Sequence, residues 1–241
     1  MPIIQDADRE FLTGRFSESL KDDVTIRLFT RDQAPRKLFL IGQPDPPTDA
    51  NEIPRLVCDL LTEFVAMSPK LNLEVLDIDG DGAEEARRLG IDHVPTILFG
   101  ADQGGRVRFT GAPAGNEFGT VTETVEALSA GGPHLAGDLI EAAKANIAEP
   151  VTLKVFVTPT CPHCPRMARA AHAFAMVNDQ IKAEIVEVQE FPDITQAYGV
   201  MGVPKVVIND QAEFVGAVPD RTFLNAILET IGKPPVEPSA S

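Results

Sequence analysis

Apolar residues along the chain alternate between two rhythms. From residue 52 to 68 they recur at helical spacing through Ile53, Leu56, Val57, Leu60, Leu61 and Phe64, which predicts an amphipathic helix. Short apolar runs lie on either side, Lys37–Ile41 and Leu73–Ile78, and read as strands. A short helix over 83–89 follows, then two strands (96–99 and 106–110) and a closing helix over 117–130. Farther along, Val151–Val157 reads as a strand, 162–178 as a helix, Ala183–Val188 as a strand and 193–198 as a short helix. Strands over 204–208 and 212–216 and a helix over 220–231 complete that half. Asp6–Leu20, with Phe11, Leu12, Phe16 and Leu20 on one face, and Leu135–Ala148 each supply a leading helix. The order βαβα then ββα, met twice, makes an α/β protein of two tandem folds, each a mixed β-sheet flanked by helices.

The repetition also shows in the residues. Gly90-Ile91-Asp92-His93-Val94-Pro95-Thr96-Ile97-Leu98-Phe99 matches Gly199-Val200-Met201-Gly202-Val203-Pro204-Lys205-Val206-Val207-Ile208 at an offset of 109 residues. Gly131-Gly132-Pro133 breaks the chain between the copies. The predicted division is 1–131, 132–233, and a proline-rich tail, 234–241, expected to be mobile. The acidic, proline-rich stretch 43–52 reads as a surface insertion.

Composition narrows the function. The 241 residues carry 36 acids against 21 bases, a net charge of −15, which excludes a nucleic-acid binder held by phosphate contacts. No apolar run is long enough to span a bilayer, and the N-terminus shows no secretory signal pattern. Three cysteines cannot form a disulfide framework, yet two of them, Cys161 and Cys164, stand together.

The motif is Thr158-Pro159-Thr160-Cys161-Pro162-His163-Cys164-Pro165, directly after a predicted strand. Strand, loop and helix start place Cys161 at a helix N-terminus, where unpaired N–H groups favour a thiolate. Cys164 falls one turn on, within disulfide reach. Pro162 suits the first helical position, and His163 can add positive charge beside the sulfur. Cys161 is therefore expected to attack a target disulfide and Cys164 to resolve the mixed disulfide. The competing reading is a zinc half-site, but only Cys58, His93, His134, His163 and His172 could complete it, and none forms a second ligand pair. In the first half, Gly42–Arg55 contains no cysteine, serine or histidine; Cys58 reads as a buried small apolar residue and His93 as a surface residue near that blank site.

With Asp6-Ala7-Asp8, Ala112-Pro113-Ala114-Gly115-Asn116-Glu117-Phe118, the segment 156–165 and Tyr198–Lys205 in view, the chain resembles the protein disulfide oxidoreductases of thermophilic archaea and bacteria. These are glutaredoxin-like proteins made of two fused thioredoxin folds. The resemblance covers nearly the whole chain. It implies thiol–disulfide exchange on protein substrates, no cofactor beyond the Cys161–Cys164 disulfide, a cytoplasmic location and regeneration by a thioredoxin reductase-like flavoenzyme. It makes Cys161 the nucleophile, Cys164 the resolving cysteine and Pro204 a cis-proline, with the Val203 backbone free to pair with an extended substrate. Members usually carry a CxxC in each half; this chain has lost the first. Cys-Pro-His-Cys is also similar to the active site of oxidising periplasmic thiol oxidases.

Two other readings compete. The N-terminal domain of the alkyl hydroperoxide reductase flavoprotein is likewise two thioredoxin folds with only the second active, so the chain could pass electrons to a peroxiredoxin. Alternatively, the blank unit could be a holdase or binding module for a partner protein. Val155, six residues before Cys161, leaves no buried acid of the thioredoxin kind, and the proton-transfer candidates are water and Glu187.

Overall fold

A computed structural model describes residues 2–31 and 52–237. Helix α1 (Asp6–Ser19) leads into β1 (Val24–Thr30), α2 (Glu52–Val65), β2 (Leu71–Asp77), α3 (Ala83–Leu89), β3 (Thr96–Phe99), β4 (Val107–Thr110) and α4 (Glu117–Ser129). The second half runs α5 (Gly137–Asn146), β5 (Val151–Val157), α6 (Cys164–Val177), β6 (Ile181–Glu187), α7 (Pro192–Ala197), β7 (Lys205–Ile208), β8 (Ala212–Val215) and α8 (Asp220–Thr230).

The first strand of the first unit is β1, not the run Lys37–Ile41, which lies outside the described residues, as do 43–51 of the predicted insertion. β1 pairs antiparallel with β3 (Phe29 opposite Thr96) just as β5 pairs with β7 (Phe156 opposite Lys205). The two strands read alike, Val-Thr-Ile-Arg-Leu-Phe and Val-Thr-Leu-Lys-Val-Phe, and bury the same positions. Their offset is 127 residues, against 109 at the Val-Pro step, so the first unit carries extra chain in between. At the strand offset, Cys161 and Cys164 correspond to Ala34 and Lys37, outside the described residues.

The eight strands form one sheet, ordered β2-β1-β3-β4-β6-β5-β7-β8. Each unit contributes four, and β4 joins β6 in parallel, with Thr110 opposite Val186. This seam explains a contrast between equivalent strands. β6 is interior, and its last three residues are buried; β2 is an edge strand and leaves Val75 exposed.

One face of the sheet carries the main core, where Phe16, Val57, Phe64 and Val125 of the first unit pack with Leu139, Met167, Phe174 and Phe223 of the second. The opposite face has two small clusters, Phe29 and Leu98 under α3, Phe156 and Val186 beside α7. Phe11 departs from expectation. It lies on the solvent side of α1, 64% exposed, while Leu12, Phe16 and Leu20 are buried. Part of the tail is held rather than loose. The Val236 N–H donates to Asn225 Oδ1 (2.7 Å) and Arg221 donates to the Glu237 carbonyl; 238–241 lie outside the described residues.

Candidate functional site

β5 ends at Val157, and the loop that follows delivers both cysteines to the C-terminal edge of the sheet. Helix α6 begins at Cys164, two residues later than the sequence predicts. Pro165, not Pro162, occupies its first turn, where a missing N–H costs nothing. Cys161 therefore precedes the helix, but its Sγ accepts the Cys164 backbone N–H at 3.1 Å. In the reduced pair that donor, at the positive end of a 14-residue helix, would favour a thiolate at Cys161.

Cys161 and Cys164 form a disulfide with Cα atoms 5.5 Å apart. Cys161 retains 8% exposure and Cys164 none, so one sulfur faces outward and the other is enclosed. Pro162 and His163 are both exposed on the outer side of the loop.

Val203–Pro204 is a cis peptide, as is Val94–Pro95 at the matching place in the first unit. The register that sets Phe156 opposite Lys205 sets Pro204 beside Val157, at the base of the cysteine loop. The Pro204 carbonyl accepts the Gly216 N–H at 2.8 Å. Val203 is half-buried, while its neighbours Met201 (97%) and Val215 (62%) leave an apolar rim in solvent.

The first unit supplies a buried acid, next to the Asn116 that holds the cysteine loop. Glu117, at the start of α4, has no exposed surface; Oε2 accepts the Thr120 hydroxyl and Oε1 has no partner. Burial pushes its carboxyl up to about 7, opposed by that hydrogen bond and by the charge of Arg169. Arg169 lies on α6 and pairs with Glu123 of α4. Its Nε also donates to the Pro165 carbonyl at 3.1 Å, so α4 is tied to the first turn of the cysteine helix. On the other side the Asn116 N–H donates to the Pro159 carbonyl at 3.0 Å. Glu117 falls on the buried stripe of α4, with Thr120, Val121, Thr124 and Val125. An acid at that spacing is the signal that could have disclosed it.

Glu187, the other candidate, is buried at the end of β6; Oε2 accepts the Glu190 N–H (2.9 Å) and Oε1 has no partner. Burial raises its pKa and takes that of Glu190 to about 7, the latter also through the Glu187 charge. Glu190 in turn accepts the Ala112 N–H at 2.8 Å across the seam. His93 spans the same seam, with Nε2 2.9 Å from Asp193 Oδ2 and its ring edge-on to Phe191.

The remaining candidates stand apart from the cysteine loop. Cys58 is half-buried on α2, and burial raises its thiol pKa. His172 is fully buried between the units: Nδ1 accepts the Thr124 hydroxyl and Nε2 donates to the Arg108 carbonyl. Desolvation lowers its pKa to about 4, so it is a neutral core residue. Among the described residues no three His, Cys, Asp or Glu side chains gather where they could hold a metal.

An outer and an enclosed cysteine, a helix N-terminus aimed at the outer sulfur, and a neighbouring cis-proline define a thiol–disulfide exchange site. The Thioredoxin domain family profile matches residues 151–229. A thioredoxin of Methanocaldococcus jannaschii is 37% identical over 78 residues, covering 32% of this chain and 92% of that protein. The chain belongs to the thioredoxin family, as a thiol–disulfide oxidoreductase. A protein disulfide oxidoreductase from Aeropyrum pernix k1 matches the whole architecture, with a TM-score of 0.80 at 29% identity over 96% of each chain. An alkyl hydroperoxide reductase of Xanthomonas campestris pv. phaseoli is 30% identical over 160 residues, 65% of this chain but only 28% of that protein.

Proposed function

We propose that the chain exchanges disulfides with protein substrates through Cys161 and Cys164. The carrying observation is the asymmetry of the pair: Cys161 is the outward sulfur and holds the Cys164 N–H, while Cys164 is enclosed. In the reducing direction the Cys161 thiolate attacks one sulfur of a substrate disulfide, and the other sulfur leaves as a thiolate that takes a proton from solvent. Cys164 then gives up its proton and attacks the Cys161 sulfur. The second substrate thiol departs, and the pair is left oxidised. Glu117, buried next to Asn116 where α4 meets the cysteine loop and pushed up to about 7, is assigned as the acceptor for the Cys164 proton. Pro162 and His163 form the outer wall of the loop, and the Val203 backbone beside Pro204 pairs with the extended substrate.

The exchange needs no cofactor beyond the disulfide itself. Two electrons per turnover come from a thioredoxin reductase-like flavoenzyme in the cytoplasm, where dithiols are kept reduced. The units divide near Gly131, and only the second carries chemistry. A second reading, donation of electrons to a peroxiredoxin, is favoured by the likeness to the Xanthomonas alkyl hydroperoxide reductase, which extends over 65% of this chain.

Two measurements test the reading. The Cys161–Cys164 couple, equilibrated in glutathione buffers and read by thiol trapping, should give a reversible two-electron potential. A value near about −270 mV marks a reductant, and one between roughly −120 and −180 mV an oxidase or isomerase. Cys164→Ser should accumulate a mixed disulfide through Cys161, and Cys161→Ser none. A chain with no reversible couple and no trapped adduct would sink the proposal. Rescue of a peroxidase cycle with no turnover of general protein disulfides would instead select the second reading.

A further inference from the structure

Val107 and Phe109 of β4 and Ala183 and Ile185 of β6 point into the main core, so Arg106, Arg108, Lys182 and Glu184 alternate onto the opposite face of the seam. Arg108 is only 2% exposed there. Its Nε and Nη2 donate to the Gly105 carbonyl (3.0 and 2.8 Å) and Nη2 also to the Leu89 carbonyl (3.2 Å). Nη1, equally buried, has no partner. From the other unit, Lys182 Nζ reaches the same Leu89 carbonyl at 3.5 Å. Arg106 gives both terminal nitrogens to Gln103 and leaves a buried Nε unbonded. Glu184 stands opposite Arg108 in register, but its Oε1 accepts the Thr110 hydroxyl at 2.8 Å, and it acts on Arg108 only as a more distant charge. Desolvation lowers the pKa of Arg108 and of Lys182, and the Arg108 charge lowers the latter further.

We propose that this seam binds one small inorganic oxyanion, of the phosphate or sulfate class, between Arg108, Arg106 and Lys182. Buried charges are ordinarily paired, and a guanidinium whose only partners are carbonyls keeps its charge uncompensated. A water molecule would bond Nη1 but would leave two cations on one carbonyl; an anion removes both deficits. Planar guanidinium N–H groups match the oxygens of an oxyanion better than they match a halide. The enclosure of Nη1 sets the size. Lys182 is half-buried and its 3.5 Å contact is loose, so its amine can swing outward and admit an ion of a few atoms. A nucleotide or an acidic peptide needs more room than one displaced side chain opens. Arg106 and Arg108 belong to the first unit and Lys182 to the second, so the ion ties the two together. In a chain of net charge −15 this patch reverses the local sign. Cys161 and Cys164 belong to the core on the other face, which makes the proposal independent of the exchange reading.

The test uses the full oxidised chain, freed of oxyanions by dialysis into a zwitterionic buffer. Sodium phosphate is titrated at constant ionic strength, with sodium chloride as the control, and followed by calorimetry and by thermal unfolding. One phosphate per chain should bind saturably, and the unfolding midpoint should rise by about 5 °C at a phosphate concentration about a hundredfold above the dissociation constant. Chloride should give neither effect. Lys182→Gln should weaken phosphate binding by at least about tenfold, the loss expected for one charge-assisted hydrogen bond. Arg106→Gln should do the same, and it carries the comparison if Lys182→Gln fails to fold. Lys233→Gln, at an exposed lysine beyond α8, should bind as wild type does. A midpoint that climbs linearly without saturation, an equal response to chloride, or unchanged affinity in the folded Lys182 and Arg106 variants overturns the proposal.

Discussion

Asn116 donates its backbone N–H to the carbonyl of Pro159 across 3.0 Å, joining the first unit to the cysteine loop two residues before Cys161. The approach depends on Gly115, at φ +58°. Gly115→Ala would need a left-handed alanine with its Cβ 2.5 Å from the Pro159 oxygen. The expected cost is about 2 kcal/mol, read by urea unfolding, and exchange at Cys161 should slow because the loop must move. An unchanged exchange rate would show that the first unit does not set the loop.

Glu117 gives a pH dependence with a definite sign. Its folded pKa, about 7, lies above the ordinary value of 4.5, so the folded chain binds the proton more tightly than the unfolded chain. Stability therefore falls as pH rises from about 4.5 to about 7 and is level above that. Glu117→Gln removes the penalty and should stabilise the oxidised protein at pH 8 relative to pH 5 by on the order of 2 kcal/mol more than wild type. His172 slopes the opposite way, gaining stability between about 4 and 6.5, so the comparison is between variant and wild type, not between two pH values alone. The same variant should lose the inflection near pH 7 in the resolution of a mixed disulfide at Cys161. Stabilisation together with slower resolution would mark an acid retained for chemistry.

His172 links three elements through two hydrogen bonds, to Thr124 at 2.9 Å and Arg108 at 3.0 Å, with no exposed surface to spare. His172→Phe keeps the volume but leaves a buried hydroxyl and carbonyl unpaired. A loss of about 2 to 4 kcal/mol is expected, measured by denaturant unfolding, with Cys161 reactivity retained in the folded fraction.

Alkylation of the reduced protein should separate the cysteines. Burial raises the Cys58 thiol, whereas the Cys164 N–H favours thiolate at Cys161. Mass spectrometry at neutral pH should find Cys161 modified first, more than about tenfold faster than Cys58. Equal rates would argue against an activated sulfur.

Much of this architecture can be read along the chain. The second unit follows from its apolar periods, and the cysteine pair and Val203–Pro204 are visible as motifs. The first strand of the first unit is harder, because Lys37–Ile41 is as apolar as a buried strand, while Val24–Thr30 carries Arg27 on a half-buried position. Its match to Val151–Phe156 is the better evidence, since equivalent strands keep the same burial pattern even where side chains change. Phe11 misleads by residue type: it sits one position before Leu12, and only one of the two can face the core. Glu117 is hidden for a different reason. An acid in the first turn of a helix is ordinary, and only the packing of α4 against α6 reveals that this one has no water.

The pairing of β4 with β6 has a consequence for any attempt to separate the halves. Either half made alone would bare a strand edge that is now interior, offering unpaired N–H and C=O groups to whatever chain came near. The second unit holds the reacting sulfurs, yet as an isolated fragment it would be prone to associate through β6. A first half without a cysteine pair therefore remains indispensable as the lateral shield of its partner, whatever else it does.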